Sequence, residues 1–89
     1  MSIDFIDIDE NLRRITINGR LDIQGTEAIA MKFTSLASTA KRSVVVDLHA
    51  VEFLASMGIR ELIANAKALQ KRGGRMTLLL ATTPMLKKH

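Results

Sequence analysis

The chain has 89 residues, 47% of them hydrophobic and 25% charged, with a formal net charge of +4, no Cys, no Trp, no Tyr and three Phe. A chain of this length buries about 60–65% of the surface it exposes when unfolded, which is room for one compact core and one domain over residues 1–89. The lack of cysteine excludes a disulfide framework, a thiol nucleophile and a thiolate metal site, the longest apolar run falls short of the roughly 18–20 residues of a membrane span, and the acidic start Met1-Ser2-Ile3-Asp4 is unlike a signal peptide; a cytoplasmic protein with no membrane role is expected.

Alternation is the first signal along the chain. Ile3, Phe5 and Ile8 are scattered through an acidic stretch, and Ile15-Thr16-Ile17 alternates cleanly between Arg13-Arg14 and Asn18. Bounded by Asp9-Glu10-Asn11 and Asn18-Gly19, these segments read as a hairpin of two short antiparallel strands. From Thr26 the period becomes helical: Ala28, Ile29, Met31, Phe33, Leu36, Ala37 and Ala40 place a first helix over about residues 25–40. Thr26 or Gln24 lies near its start, and Lys41-Arg42 suits the C-terminal end of its dipole.

Ser43-Val44-Val45-Val46-Asp47-Leu48 is a continuous β-branched run, the pattern of a strand buried on both faces of a parallel sheet, and is expected as the central strand. His49 to Leu54 are expected as a connection with Val51 and Phe53 turned inward. Ser56 then precedes a helical stripe of Ile59, Leu62, Ile63, Ala66 and Leu69, which Lys71-Arg72-Gly73-Gly74 terminates. Met76-Thr77-Leu78-Leu79-Leu80 reads as another buried strand, and Thr82, Thr83 and Pro84 open a third helix, Met85-Leu86-Lys87-Lys88, that is not completed. The order strand, strand, helix, strand, helix, strand is that of an α/β domain with a mixed, mostly parallel sheet and right-handed crossovers. Cover for Leu78 to Leu80 is expected from a further tail, a dimer contact or a partner.

The net charge is unevenly spread. Asp4, Asp7, Asp9 and Glu10 open the chain, whereas no acid follows Glu61 and Lys67, Lys71, Arg72, Arg75, Lys87 and Lys88 do. Nucleic-acid modules interleave such bases with stacking aromatics or a recognisable motif. Phe5, Phe33 and Phe53 all sit within apolar patterns instead, so the sequence argues against a nucleic-acid partner. The catalytic inventory is equally thin. His49 stands beside Asp47 with no serine or cysteine spaced for a triad, and reads as a surface histidine of the connection. Asp47 has no neighbouring acid in its segment to complete a metal site, and Gly73-Gly74 lacks the lysine and hydroxyl of a phosphate loop. No catalytic residue, metal or cofactor is implied.

Ser56 differs from these. At the mouth of the second helix its hydroxyl suits a cap on the orphan N–H groups of the first turn. It also tolerates a phosphoserine, because the dianion would meet free N–H groups and the positive dipole end. Gly58, costly inside a helix, permits a close approach, and Met57 suits a protein contact.

The stretch Val44-Val45-Val46-Asp47-Leu48-His49-Ala50-Val51-Glu52-Phe53-Leu54-Ala55-Ser56-Met57-Gly58-Ile59 resembles the signature of STAS domains, most closely those of bacterial anti-sigma-factor antagonists. Ile15-Thr16-Ile17-Asn18-Gly19-Arg20-Leu21-Asp22 is similar to the second strand and following loop of that family. Gly73-Gly74-Arg75-Met76 and Thr83-Pro84-Met85-Leu86 are similar to its last strand and the lead into its last helix. The resemblance implies a single STAS domain over residues 1–89 whose closing helix is absent, a monomer or weak dimer, and a mechanism of partner switching. The unphosphorylated antagonist would bind an anti-sigma factor that is also a serine-protein kinase and so release the client. Phosphorylation would abolish binding, and a metal-dependent serine phosphatase would reset it. The phosphoacceptor position falls on Ser56, and the partner-binding surface on Arg20, Leu21, Asp22, Ala55, Ser56, Met57 and Gly58.

The family commonly has Asp before the serine and Ser or Thr after it, where this chain has Ala55 and Met57. That apolar pair also suits a second role, a STAS accessory or sensor subunit of a transport or signalling complex in which Ser56 is only a cap. A basic nucleic-acid accessory protein using Lys67 to Arg75 is the third reading.

Overall fold

The computed structural model describes residues 2–40 and 42–80. Alternation in the first twenty residues builds a hairpin of β1 (Ser2–Asp9) and β2 (Leu12–Leu21), paired antiparallel with Ile3 opposite Ile17 and Phe5 opposite Ile15. Then come α1 (Ile23–Ser38), β3 (Ser43–Leu54), α2 (Ser56–Lys71) and β4 (Arg75–Leu79). The four strands form one sheet in the order β1-β2-β3-β4, with β2, β3 and β4 mutually parallel. This is the expected mixed, mostly parallel α/β architecture.

Register decides which side chains meet. Ile15 lies opposite Val46 and Arg13 opposite Val44, so Ile3, Ile15, Ile17, Val44 and Val46 share the face that takes the helices. Ile29, Phe33 and Leu36 of α1 and Leu62 and Leu69 of α2 close the core over them. Thr39 and the last turn of α1 are tied down by Arg13, whose Nη1 donates to the Leu36 carbonyl at 3.0 Å and to Thr39 Oγ1 at 2.8 Å. After α2, the N–H groups of Arg72 and Gly74 both donate to the Leu69 carbonyl at 3.0 Å, which ends the helix where the glycines predict.

Several boundaries differ from the sequence reading. α1 starts at Ile23, because Asp22 caps it: its Oδ1 accepts the Gly25 N–H at 2.8 Å. His49 to Leu54 are not a connection but the second half of β3, paired along the whole end of β2 from Asn18 opposite Ala50 to Leu21 opposite Leu54. Two register shifts, around Asn18 and between Gly19 and Arg20, break the period that would have revealed this, and Gly19 takes φ +103 there. Val51 packs on the core as expected, whereas Phe53 is exposed. The α2 stripe is Gly58, Leu62, Asn65 and Leu69, with Ile59 and Ile63 left exposed. β4 is not a buried strand: among the described residues it is an edge, with Met76 half-buried and Leu78, Leu79 and the following Leu80 exposed. The helix expected from Thr82 lies outside the described residues.

On the sheet face away from the helices, Asp47 is buried although it is charged. The Arg14 guanidinium donates to its Oδ2, the His49 backbone N–H donates to Oδ1 at 3.0 Å, and His49 Nδ1 lies 3.2 Å from the same oxygen. The Arg14 bond first, then the His49 N–H, lower the carboxyl from the ordinary 3.8 to about 2 against the opposing pull of burial. A depressed folded-state value gives stability that is complete above the unfolded value of about 4 and is lost as pH falls through about 2. Urea unfolding of the wild type should therefore weaken with acid across that window. Asp47→Asn should be less stable at neutral pH, with a flatter slope between about pH 4 and pH 2.

Candidate functional site

The end of β2 and the start of α2 are far apart in sequence but are joined by one bond: the Ala55 N–H donates to the Leu21 carbonyl at 2.9 Å. That bond, with Leu21 opposite Leu54 in the ladder, brings Arg20-Leu21-Asp22 beside Ala55-Ser56-Met57-Gly58. Both helices begin at this end of the sheet, at the C-terminal ends of the parallel strands.

Within the cluster the side chains divide by exposure. Leu21 and Gly58 are buried, Asp22 and Ala55 are half-buried, and Arg20, Ser56 and Met57 are exposed. Leu21 and Gly58 therefore shape the surface from beneath. A Cβ on Gly58 would stand 3.0 Å from Leu54 Cδ1 and 3.3 Å from both Leu21 Cβ and Thr26 Oγ1. The first turn of α2 rests directly on the starts of α1 and the end of β2, and only glycine leaves that space.

The two helix starts are capped differently. α1 has Asp22, whereas the capping position of α2 is Ala55, in extended conformation and without a side-chain cap bond. Ser56 is the first helical residue, so its hydroxyl does not cap the helix as the plainer sequence reading expected. No side chain caps the N–H groups of the opening turn.

Apolar side chains ring this end: Ile23 is 62% exposed, Phe53 44% and Met57 42%. The Arg20 guanidinium lies 4.8 Å from the Phe53 ring centroid, and its Nε is 3.7 Å from Asp22 Oδ2. Ile23 and Phe53 are surface residues that pattern reading missed. Phe53 was hidden by the assumption that it lay in an inward-turned connection, and Ile23 by a helix start placed two residues late.

A protein-family model described as "Mlab, STAS domain" matches residues 5–88. The chain belongs to the STAS-domain family. Solved structures agree with its fold. An anti-sigma factor antagonist from Mycobacterium paratuberculosis superposes with a TM-score of 0.74 at 25% identity, covering 98% of this chain and 74% of that one. The anti-sigma factor antagonist SpoIIAA in its unphosphorylated form gives 0.71 at 20% identity, covering 98% and 79%. The murine Slc26a9 anion transporter gives 0.63 at 17% identity, with 88% of this chain matched to 13% of that one. No curated protein matches the chain in sequence.

In this STAS domain the cap assignment and the glycine seat are directly testable. Ser56→Ala should change the unfolding free energy by less than about 0.5 kcal/mol, because an exposed side chain outside the cap position is removed. Ala55→Asp should raise it by about 0.5–2 kcal/mol by supplying the missing cap. Gly58→Val should lower it by about 1–3 kcal/mol through overpacking against Leu21, Leu54 and Thr26. Urea denaturation of the three variants measures all of these.

Proposed function

We propose that this STAS domain is an anti-sigma-factor antagonist that works by partner switching, with Ser56 as the phosphoacceptor. The observation that supports the reading is the position of Ser56: exposed, first in α2, over an opening turn without a side-chain cap, and flanked by exposed Met57 and Arg20. The likeness to antagonist structures, one of them SpoIIAA in its phosphorylated form, supports it further. In its unphosphorylated form the surface of Arg20, Asp22, Ala55, Ser56 and Met57, held up by Leu21 and Gly58, binds an anti-sigma serine kinase.

A phosphate on Ser56 adds about −1.5 to −2 charges. The dipole and N–H groups of the α2 terminus stabilise such an anion by only about 0.3–1 kcal/mol, so the fold is not remade. The effect falls on the interface. Burying the dianion against a partner shaped for a hydroxyl between Ala55 and Met57 leaves charged oxygens desolvated and unpaired, a cost of several kcal/mol, and about 4 kcal/mol is a thousandfold in affinity. A metal-dependent serine phosphatase would restore binding.

A second reading is favoured by the likeness in fold to part of an anion transporter. Here the domain is a stable accessory module of a transport complex, and the apolar pair Ala55 and Met57 makes a constant contact. Incubation with the cognate kinase and ATP separates the two. Partner switching requires intact mass to rise by one phosphate in the wild type and not in Ser56→Ala. It also requires Ser56→Asp to bind the kinase at least about tenfold more weakly, with Ser56→Ala binding like the wild type. Absence of phosphate, or undiminished binding by Ser56→Asp, refutes it; copurification with a membrane transport complex then favours the accessory role.

A further inference from the structure

The two edges of the sheet carry opposite charge. β1 is one edge and β4 the other, each with a row of backbone N–H and C=O groups that no strand among the described residues pairs. Residues 1–11 contain Asp4, Asp7, Asp9 and Glu10 and no Lys or Arg; residues 62–89 contain Lys67, Lys71, Arg72 and Arg75 and no Asp or Glu. Both edges also expose apolar side chains, Phe5 at 44% on β1 and Leu78 at 41% on β4.

We propose that these edges are complementary surfaces for a second copy of this chain, β4 of one copy adding to β1 of the next to continue the sheet. Geometry favours the pairing. β1 runs antiparallel to β2, and β2, β3 and β4 are parallel. A copy placed beside β4 in the same orientation therefore presents its β1 antiparallel to β4, with its helices on the same side. Phe5 and Leu78 both project from the helix face, since Phe5 lies opposite Ile15, Ile15 opposite Val46 and Val46 opposite Leu78. The register that sets Leu78 against Phe5 sets Thr77 against Ile6, keeps every side chain on its own face, and brings the start of β4 to the end of β1. That start carries Arg75 and, just before it, Lys71 at the end of α2; that end carries Asp9 and, just after it, Glu10.

Like edges do not pair in this way. Arg13 of β2 holds Asp7 at 2.6 Å, but two copies of β1 would still bring the Asp4 and Asp9 of one toward the acids of the other, and β4 has no acid to offer a second β4. The contact is therefore heterologous, growing from copy to copy rather than closing as a two-fold dimer. It rests on a five-residue strand and exposed ion pairs, so it is weak and sensitive to salt. The charged contacts lie at the opposite end of the sheet from Ser56, and the proposal stands whichever partner that surface binds.

Sedimentation velocity of the full 89-residue protein at millimolar concentration tests it. The weight-average mass of the wild type should exceed the monomer at low salt and return to it at high salt. Asp9→Lys with Glu10→Lys, and separately Lys71→Glu with Arg75→Glu, should each weaken association about tenfold, the sum of four exposed charge contacts turned from attraction to repulsion. An equimolar mixture of the two double variants should recover association, because each then offers the edge the other needs. Circular dichroism matching the wild type establishes that the variants are folded. A wild type that stays monomeric at low salt, double variants that associate undiminished, or a mixture that does not recover would overturn the proposal.

Discussion

The parallel ladder between β2 and β3 is the constraint on which the rest depends. It runs from Leu12 opposite Ser43 to Leu21 opposite Leu54, and its two ends do different work. At the first end it aligns Ile15 with Val46, fixing the face on which both helices pack. At the far end it delivers Leu21 to Ala55, so the chain leaving β2 and the chain entering α2 meet. Without the second half of β3, the Arg20 to Asp22 loop and the Ser56 turn would share a domain but not a surface. The bulges that carry the ladder past Asn18 and Gly19 are what allow two strands of unequal rhythm to stay paired that far.

Asp47 shows how a charged residue can sit in such a ladder. It lies between Thr16 and Leu79 on the face that no helix covers among the described residues, and its burial is tolerated because Arg14 and the His49 N–H satisfy it. Removing either partner strands a charge, and the lowered carboxyl of Asp47 makes the fold sensitive to acid.

How much of this was legible in the sequence follows from what each signal measures. Val44 and Val46 announced a buried strand because β-branched side chains without polar interruption have few other places to go. Leu62 and Leu69 announced a helix face through their spacing. His49 to Leu54 were illegible because alternation fails at a bulge, and a strand whose pleat is shifted looks like a loop. β4 differs for another reason: an apolar run reports hydrophobicity, not whether a neighbouring strand stands on both sides, and among the described residues Leu78 and Leu79 lie on an edge strand. At the site, Ser56 and Gly58 were conspicuous as residue types out of place. That Ala55 and not Ser56 occupies the cap, and that Arg20 lies over Phe53, depends on φ and ψ and on contacts that residue order does not encode.

The two ends of α2 carry the last step. Ser56 opens the helix and Lys71 closes it, fifteen residues further on, which at 1.5 Å per residue is about 22 Å. The screening length at physiological ionic strength is about 8 Å, so a phosphate at Ser56 changes the field at Lys71 and Arg75 very little. The dipole of α2 does not carry the signal either, because its influence is confined to the first and last turns. A charge added at the C-terminal ends of the parallel strands and a charge contact at their N-terminal ends are therefore electrostatically independent. Coupling between them would have to pass through movement of α2 itself, and Gly58, seated on Leu21, Leu54 and Thr26, is where such movement would meet resistance.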